Sequence, residues 1–119
     1  MRKGDKLSAA EAVQRQMLTG VLEMLVLELL TDKDLSPSQV KVKIESKHAD
    51  LKLSDQTMFN LVYRLLERSY LSVVSDKFTG KLYRIEPAGR EYLELLNCEY
   101  DQLSSCVNEI RRDNAKRKK

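Results

Sequence analysis

Two helical patterns joined by a short link, followed at once by two β-strand patterns, constrain the fold of this chain more than any other feature. The first pattern begins at Ser36-Pro37, where serine is a helix cap and proline suits the first helical position, and it ends near 48–52. The second pattern covers Leu53–Leu71, with Ser54 as its predicted cap. Two helices joined this closely indicate a helix-turn-helix.

A strongly apolar helical pattern precedes this pair. Leu18–Leu30 is apolar over most of its circumference, so it must be largely buried and forms the predicted core of the domain. A separate short helix is predicted from Ser8 to about Gln16, because Glu11 follows Ser8 at the spacing of a capping box. The sequence therefore predicts an N-terminal arm or short helix over 1–17.

A β-hairpin is predicted after the second helix of the pair. Leu71–Asp76 is rich in β-branched residues, and Leu82–Glu86 alternates between apolar and polar residues. The link Phe78–Lys81 forms the turn, with Gly80 at a position suited to a left-handed conformation. Three helices and a hairpin in this order are the layout of a winged helix-turn-helix domain, predicted here over 18–86. The fold class is thus mainly α with a small β-hairpin, followed by a long C-terminal helix.

The Leu53–Leu71 helix carries side chains suited to DNA binding. Outside its apolar stripe it has Gln, Thr, Asn and Arg, which can contact base edges and phosphates. The alternative is an ordinary amphipathic helix with a solvated face. Basic and polar residues of the hairpin and of the preceding helix can hold phosphates. The predicted DNA-binding residues are Gln39, Lys43, Gln56, Thr57, Asn60, Tyr63, Arg64, Lys77, Lys81 and Arg84. Those predicted to read bases are Gln56, Thr57, Asn60 and Arg64.

The last helical pattern contains an unbroken heptad repeat. It begins at Pro87 and runs to about Arg112, and its apolar residues are spaced alternately by three and four. A stripe this narrow predicts a seam for the same helix of a second copy, so 87–112 is interpreted as a dimerisation helix. The alternative is docking within the chain. The predicted interface residues are Leu93, Leu96, Tyr100, Leu103, Val107 and Ile110.

Positive charge is concentrated at the C-terminal end. Arg111–Lys119 holds six basic residues and one acidic residue, so its net charge is +5. The whole chain has a net charge of +3, and the other 110 residues therefore have a net charge of −2. The stretch 113–119 is predicted to be a disordered basic tail. It either adds affinity for nucleic acid without specificity or only aids solubility.

Several function classes lack the residues they require. With one histidine and no CxxC pair, no metal site is expected. No Ser/His/Asp set, carboxylate pair or phosphate loop indicates a catalytic site or a cofactor. Cys98 and Cys106 are separated by eight helical residues, roughly 12 Å, which exceeds disulfide reach and indicates free thiols. The apolar run Met17–Leu30 is too short to span a bilayer. A soluble cytoplasmic protein that does not enter the membrane is expected.

Over about Leu18–Ile110 the chain resembles the PadR-like transcriptional regulators, which are winged-helix dimers of bacteria. The resemblance rests on Leu18–Glu23 in the first core helix, Thr57–Leu65 in the recognition helix and Tyr83–Arg90 at the exit of the hairpin. The family usually has Tyr-Pro where this chain has Phe59-Asn60, glycine at Ser69 and threonine at Glu86. It also has a Gly-Tyr pair where this chain has Ser38–Val40. Losing the tyrosine hydroxyl at Phe59 removes one contact to the DNA backbone.

The resemblance implies a homodimer that binds double-stranded DNA as a repressor at an inverted repeat. The two recognition helices would enter successive major grooves, roughly 34 Å apart. Family members often carry an aromatic residue midway along the last helix, where it lines a pocket at the dimer interface, and Tyr100 stands at about that place. A small aromatic or apolar effector bound there would release DNA by changing the spacing of the two domains. The alternatives are a core role for Tyr100 and, for the whole chain, a winged helix that binds another protein and no specific DNA.

Overall fold

The computed structural model describes residues 3–48, 51–78 and 80–117. In chain order its elements are α1 (Lys3–Leu29), α2 (Pro37–Glu45), α3 (Asp55–Glu67), β1 (Leu71–Asp76), β2 (Gly80–Ile85) and α4 (Pro87–Arg117). Three helices, an antiparallel hairpin and a long last helix confirm the predicted fold class, a winged helix-turn-helix followed by a C-terminal helix.

The N-terminal region differs from the prediction, because α1 is a single helix. The predicted short helix from Ser8 and the predicted core helix from Leu18 are continuous, and Ser8 lies inside α1 rather than at its start. The intervening sequence AAEAVQRQM consists mainly of strong helix formers and contains no proline or glycine that would end a helix. No helix boundary therefore lies at position 17.

The C-terminal end also differs, because α4 continues through Arg117. The prediction of a helix end near Arg112 and a disordered tail from 113 is wrong for 113–117, while 118–119 lie outside the described residues. Alanine, lysine and arginine favour helix, and Lys116 and Arg117 stand at the negative end of the helix dipole. The basic stretch is therefore mostly a helical extension.

Both predicted helix caps of the helix-turn-helix are confirmed. Ser36 forms a capping box with Gln39, and Ser54 accepts a hydrogen bond from the backbone N–H of Thr57 at 3.0 Å. Helix α2 ends at Glu45, earlier than the predicted 48–52. The Glu45 carboxylate accepts a hydrogen bond from the backbone N–H of Leu53, at 2.8 Å, across the link between α2 and α3. These contacts fix where α3 begins.

One hydrophobic core joins all six elements. The apolar stripe predicted for α3 is buried apart from Leu66, which is partly buried. The burial predicted for α1 is confirmed on its inner face, where Leu22, Val26, Leu27 and Leu30 are buried and Leu18, Met24, Leu25 and Leu29 are partly buried. The end of β2 and the first turns of α4 also contribute to this core. Its most deeply buried members include Val26, Leu27, Val40, Ile44, Met58, Leu61, Leu65, Leu71, Ile85 and Leu93.

The hairpin forms the wing. Its register pairs Leu71 with Ile85 and Asp76 with Gly80, and Gly80 has φ +80° as its position in the turn requires. The second strand begins two residues before the predicted start at Leu82, while Thr79 of the predicted turn lies outside the described residues. A further backbone pairing, between Leu35 and Tyr83, attaches the wing to the segment between α1 and α2. The sequence pattern gave no sign of this pairing.

The end of α3 is built around a serine with left-handed backbone. Ser69 has φ +62°, Ser69 N donates to Leu66 O, and Tyr70 N donates to Leu65 O at 3.0 Å, which together form a Schellman motif. An L-residue in this conformation costs roughly 1–2 kcal/mol, and glycine avoids that cost. The family's usual glycine at this position therefore has a structural reason.

Ser69→Gly is accordingly expected to raise the free energy of unfolding by about 0.5–1 kcal/mol, since part of the relieved strain is offset by the greater freedom of glycine in the unfolded chain. Urea denaturation at fixed protein concentration measures the change. Ser105→Gly, the same replacement at an exposed helical position of α4, is the control and should lower stability. Equal effects at the two positions would contradict the assigned role of the left-handed backbone.

Candidate nucleic-acid interface

The outer face of α3 lies opposite the core and presents a strip of polar and aromatic side chains. Gln56 and Asn60 stand one turn apart on this face, and Gln56 Nε2 donates to Asn60 Oδ1 at 2.9 Å. Tyr63 continues the strip with 56% of its surface exposed, and Phe59 lies beside it with 65% exposed. The structure thus brings together Gln56, Asn60 and Tyr63 from the predicted set, and it adds Phe59.

Two of the predicted base readers lie on the flank of α3 that faces α1. Thr57 Oγ1 accepts from the Ser54 hydroxyl at 2.7 Å, and Arg64 Nη2 lies 3.9 Å from the Glu23 carboxylate. Spacings of i, i+3 and i+7 placed Thr57, Asn60 and Arg64 on a shared strip, but the helix turns Asn60 outward and the other two toward α1. Base reading by Thr57 and Arg64 is a prediction that this geometry does not favour.

The second helix meets the first turn of α3 through an ion pair. Lys41 Nζ lies 3.1 Å from Asp55 Oδ1, so the one acidic group at the start of α3 is paired with a cation from α2. Asp55 is exposed and Lys41 is partly buried, so this ion pair at the surface contributes little to stability. Its electrostatic effect is to reduce the repulsion that Asp55 would exert on a phosphate.

The two DNA contacts predicted on α2, Gln39 and Lys43, differ in their surroundings. Gln39 Oε1 accepts from the backbone N–H of Ser36 at 2.9 Å, so its carbonyl serves the cap while its amide group stays exposed. Lys43 is exposed in the last turn of the helix. Both remain predicted phosphate contacts.

The basic residues of the wing that were predicted to contact phosphates differ in their surroundings. Lys77 and Lys81 are exposed at and beside the turn. Arg84 instead forms a two-bond ion pair with Asp34, through Nε at 3.2 Å and Nη2 at 2.8 Å, and this hydrogen-bonded carboxylate raises the pKa of Arg84. Arg84 therefore holds the wing to the segment between α1 and α2, while phosphate contacts by Lys77, Lys81 and Arg84 stay predictions.

A cluster that sequence analysis missed links three helices. The Tyr92 hydroxyl of α4 donates to Glu23 Oε2 of α1 at 2.6 Å, and the same carboxylate faces Arg64 of α3. The Tyr92 ring stacks on Tyr70, with centroids 4.5 Å apart and planes inclined by 15°. Since these partners are separated by 22 to 69 residues in sequence, periodicity carried no signal for them.

Tyr92→Phe is expected to lower the free energy of unfolding by about 1–2 kcal/mol at neutral pH, because a hydrogen bond to a charged acceptor is lost while the ring stack is kept. The hydrogen bond to Glu23, assisted by burial, raises the pKa of Tyr92 above its ordinary value of 10.0. The folded state therefore holds this proton more tightly than the unfolded state does. The contribution is complete below pH 10 and is lost as the pH rises through the raised pKa.

Unfolding titrations between pH 8 and about pH 11 measure this dependence. Tyr63→Phe, which alters an exposed tyrosine, is the control and should retain the alkaline loss of stability seen in the wild type. A Tyr92→Phe protein with the wild-type pH dependence would show that the hydrogen bond to Glu23 does not contribute.

The heptad residues of α4 divide into two groups. Leu93, with 5% of its surface exposed, belongs to the core of its own chain, and Leu96 packs against that core. Leu93 was predicted in the dimer interface, but the first turns of α4 cover the domain and use this residue there. The remaining stripe is exposed in the single chain and consists of Tyr100, Leu103, Val107 and Ile110.

A cleft of about 580 Å³ lies between the middle of α1 and the side of α3 that carries Thr57, Leu61 and Arg64. Leu18, Leu22 and Leu61 give it an apolar wall, and Arg15 and Arg64 are its arginines. Tyr100 is not among its lining residues, so this cleft is not the effector pocket predicted around Tyr100, and that pocket remains a prediction. Cys98 and Cys106 are exposed free thiols.

Two further observations concern the described residues only. Within 3–48, 51–78 and 80–117, no group of His, Cys, Asp and Glu side chains is arranged to hold a metal ion. None of the helices in the described part of the chain has the length and apolar character needed to cross a membrane.

The arrangement defines a class, a winged helix-turn-helix domain carrying a long C-terminal helix. Neither a family model nor a curated protein matches the sequence. Solved structures do match, and many of them are PadR-family transcriptional regulators. The fold is therefore that of the PadR-like regulators, which confirms the resemblance found in the sequence.

Three of these solved structures illustrate the similarity. A transcriptional regulator from Clostridium thermocellum has a TM-score of 0.73 at 21% identity, over 79% of this chain and 96% of that one. A PadR family regulator from Eggerthella lenta has a TM-score of 0.72 at 21% identity, over 89% and 93%. A PadR-like transcription factor from Bacteroides fragilis has a TM-score of 0.64 at 28% identity, over 83% and 98%.

Proposed function

We propose that this protein is a DNA-binding transcriptional regulator that acts in the cytoplasm as a homodimeric repressor on an inverted-repeat operator. The observation that carries the proposal is the outer face of α3. Its hydrogen-bonded Gln56 and Asn60 lie in an exposed strip, with the wing lysines Lys77 and Lys81 on the same winged-helix framework. Polar side chains on a recognition helix read base edges, while lysines of a wing hold phosphates.

A dimer is part of the proposal because α4 leaves an apolar stripe uncovered. Tyr100, Leu103, Val107 and Ile110 are exposed in the single chain, and α1 exposes Val13 and Met17 as well. Apolar residues repeated over several turns of helix are typical of a subunit contact. An aromatic or apolar effector that binds beside Tyr100 would alter this contact and release DNA. Enzymatic activity has no support, since the matched structures are transcriptional regulators.

The test is binding to duplex DNA as a function of salt. The wild-type protein should bind duplexes at micromolar concentration, and affinity should fall as salt rises. Lys81→Ala should weaken binding to operator and scrambled duplexes by similar factors and reduce the slope of log K against log salt by about 1. Lys81→Arg keeps the charge and should retain the slope. Absence of any salt-sensitive binding would overturn the proposed function.

A protein-binding winged helix is the second candidate, and its exposed apolar residues and charge balance favour it. Phe59 and Tyr63 leave an aromatic surface on α3, Val42 is exposed on α2, and the chain outside Arg111–Lys119 has a net charge of −2. Exposed aromatic residues are common at protein interfaces. The salt titration separates the two functions, because a protein-binding domain would not bind duplexes in this way.

A further inference from the structure

The side-chain amides of Gln56 and Asn60 on α3 are joined by a hydrogen bond, which determines which of their groups remain available to a ligand. The bond from Gln56 to Asn60 uses one N–H of the first and the carbonyl oxygen of the second. The Gln56 carbonyl is then left as an acceptor, and the Asn60 amide group as a donor. Exchanging oxygen and nitrogen in both amides gives the same inventory with the residues reversed. The strip thus presents an unused carbonyl acceptor and an unused amide donor on neighbouring residues.

This pair of groups matches adenine better than guanine in the major groove. Adenine presents an acceptor at N7 and a donor at N6, whereas guanine presents two acceptors, N7 and O6. Guanine is usually read by arginine, and Arg64, the arginine nearest the strip, is turned toward Glu23. The hydrogen-bonding groups on the outer face therefore favour an A·T pair.

Phe59 supplies an apolar group beside these amides. Its ring is 65% exposed, stands three residues after Gln56, and has no hydroxyl to donate to a phosphate. Thymine carries the methyl group that distinguishes an A·T pair in the major groove, and apolar side chains contact it. A large apolar ring on the outward side of α3 is thus accounted for by a thymine.

We infer that α3 recognises an A·T step, with the Gln56–Asn60 unit bonding adenine N7 and N6 and the Phe59 ring packing on a thymine methyl group. The inference rests on the proposed function, because it names the base sequence that the same helix reads. It makes Phe59 a specificity residue, and it assigns Thr57 and Arg64 to the α1 side rather than to the bases.

The experiment uses the full-length protein and a pool of random 24-base-pair duplexes at low salt. Bound duplexes are selected and sequenced, and an A·T step should be enriched in each half-site. In the selected duplex, each thymine of that step is then replaced by uracil, which removes only the methyl group, and each adenine by 7-deazaadenine, which removes N7. We expect the wild type to lose about threefold affinity on the first change and about tenfold on the second.

Variants assign these losses to residues. Phe59→Ala should bind thymine and uracil duplexes equally, while Phe59→Leu should keep part of the thymine preference. Gln56→Ala and Asn60→Ala should each weaken the preference for adenine while keeping the uracil effect. Only the variant that lacks the amide donating to N7 should lose the sensitivity to 7-deazaadenine. Because all three side chains are exposed, circular dichroism should show unchanged folding.

The outcomes separate the two proposals. If the protein binds duplexes but selects G·C steps, or if Phe59→Ala retains the full thymine preference, the inference is overturned and DNA binding stands. If no duplex in the pool is bound at low salt, the proposed function fails, and the inference fails with it.

Discussion

Gly89→Ala is expected to lower the free energy of unfolding by about 3 kcal/mol, a large part of the stability of a domain this size. A Cβ at this position would lie 2.2 Å from the Tyr70 carbonyl oxygen and 3.0 Å from Cγ1 of Ile85. The obstacle is backbone, and the same oxygen accepts the N–H of Glu86 at 2.9 Å. Room for a methyl group can be made only by moving the start of α4 away from the end of α3.

Gly20→Ala is the matched control. Nothing lies within 4 Å of a Cβ at Gly20, which is exposed inside α1, so alanine there should raise stability by about 0.5–1 kcal/mol. Urea denaturation of both variants at one protein concentration gives the comparison. A Gly89→Ala protein as stable as the wild type would mean that α4 does not approach Tyr70 this closely.

The sequence predicted those parts of the fold that depend on neighbouring residues. The caps at Ser36 and Ser54, the turn glycine Gly80 and the apolar stripe of α3 depend on residues within one turn or one hairpin, and they are found as predicted apart from the partly buried Leu66. The left-handed backbone at Ser69 was not predicted, since serine itself gives no such signal, although the family's usual glycine at this position agrees with it. Local rules therefore recovered the order of elements and the framework of the candidate interface.

Long-range contacts are what the sequence did not predict. Arg84 forms an ion pair with Asp34, fifty residues earlier, and its contact with a phosphate stays a prediction. Arg64 faces Glu23 because helix packing turned that flank toward α1, and base reading by Arg64 stays a prediction. Leu93 has the spacing of an interface residue, but it is buried in its own domain, and a repeat alone cannot distinguish the two uses. Tertiary packing decides which side chains remain available to bind a ligand, and the spacing of residues in the sequence does not predict that packing.

Leu103→Asp is expected to abolish the proposed dimer without unfolding the chain. Leu103 is 64% exposed in the single chain, so aspartate there costs the folded protomer little beyond its lower helix propensity, about 0.5 kcal/mol. In a two-fold symmetric seam the substitution introduces two carboxylates at once into apolar surroundings. Burying them without partners costs several kcal/mol, which corresponds to a rise of more than about 100-fold in the dissociation constant.

Sedimentation equilibrium gives the mass, and circular dichroism gives the helix content of the same samples. Leu95→Asp is the matched control, because Leu95 is 66% exposed on the same helix but lies outside the heptad stripe, and this variant should remain a dimer. If Leu95→Asp abolished the dimer and Leu103→Asp did not, the dimer seam would have to be assigned to a face of α4 about 100° away. If both variants remain dimers, the two chains meet elsewhere, and the exposed Val13 and Met17 of α1 become the next residues to replace. Since a two-headed operator complex needs the dimer, Leu103→Asp should also weaken operator binding far more than binding to a single half-site.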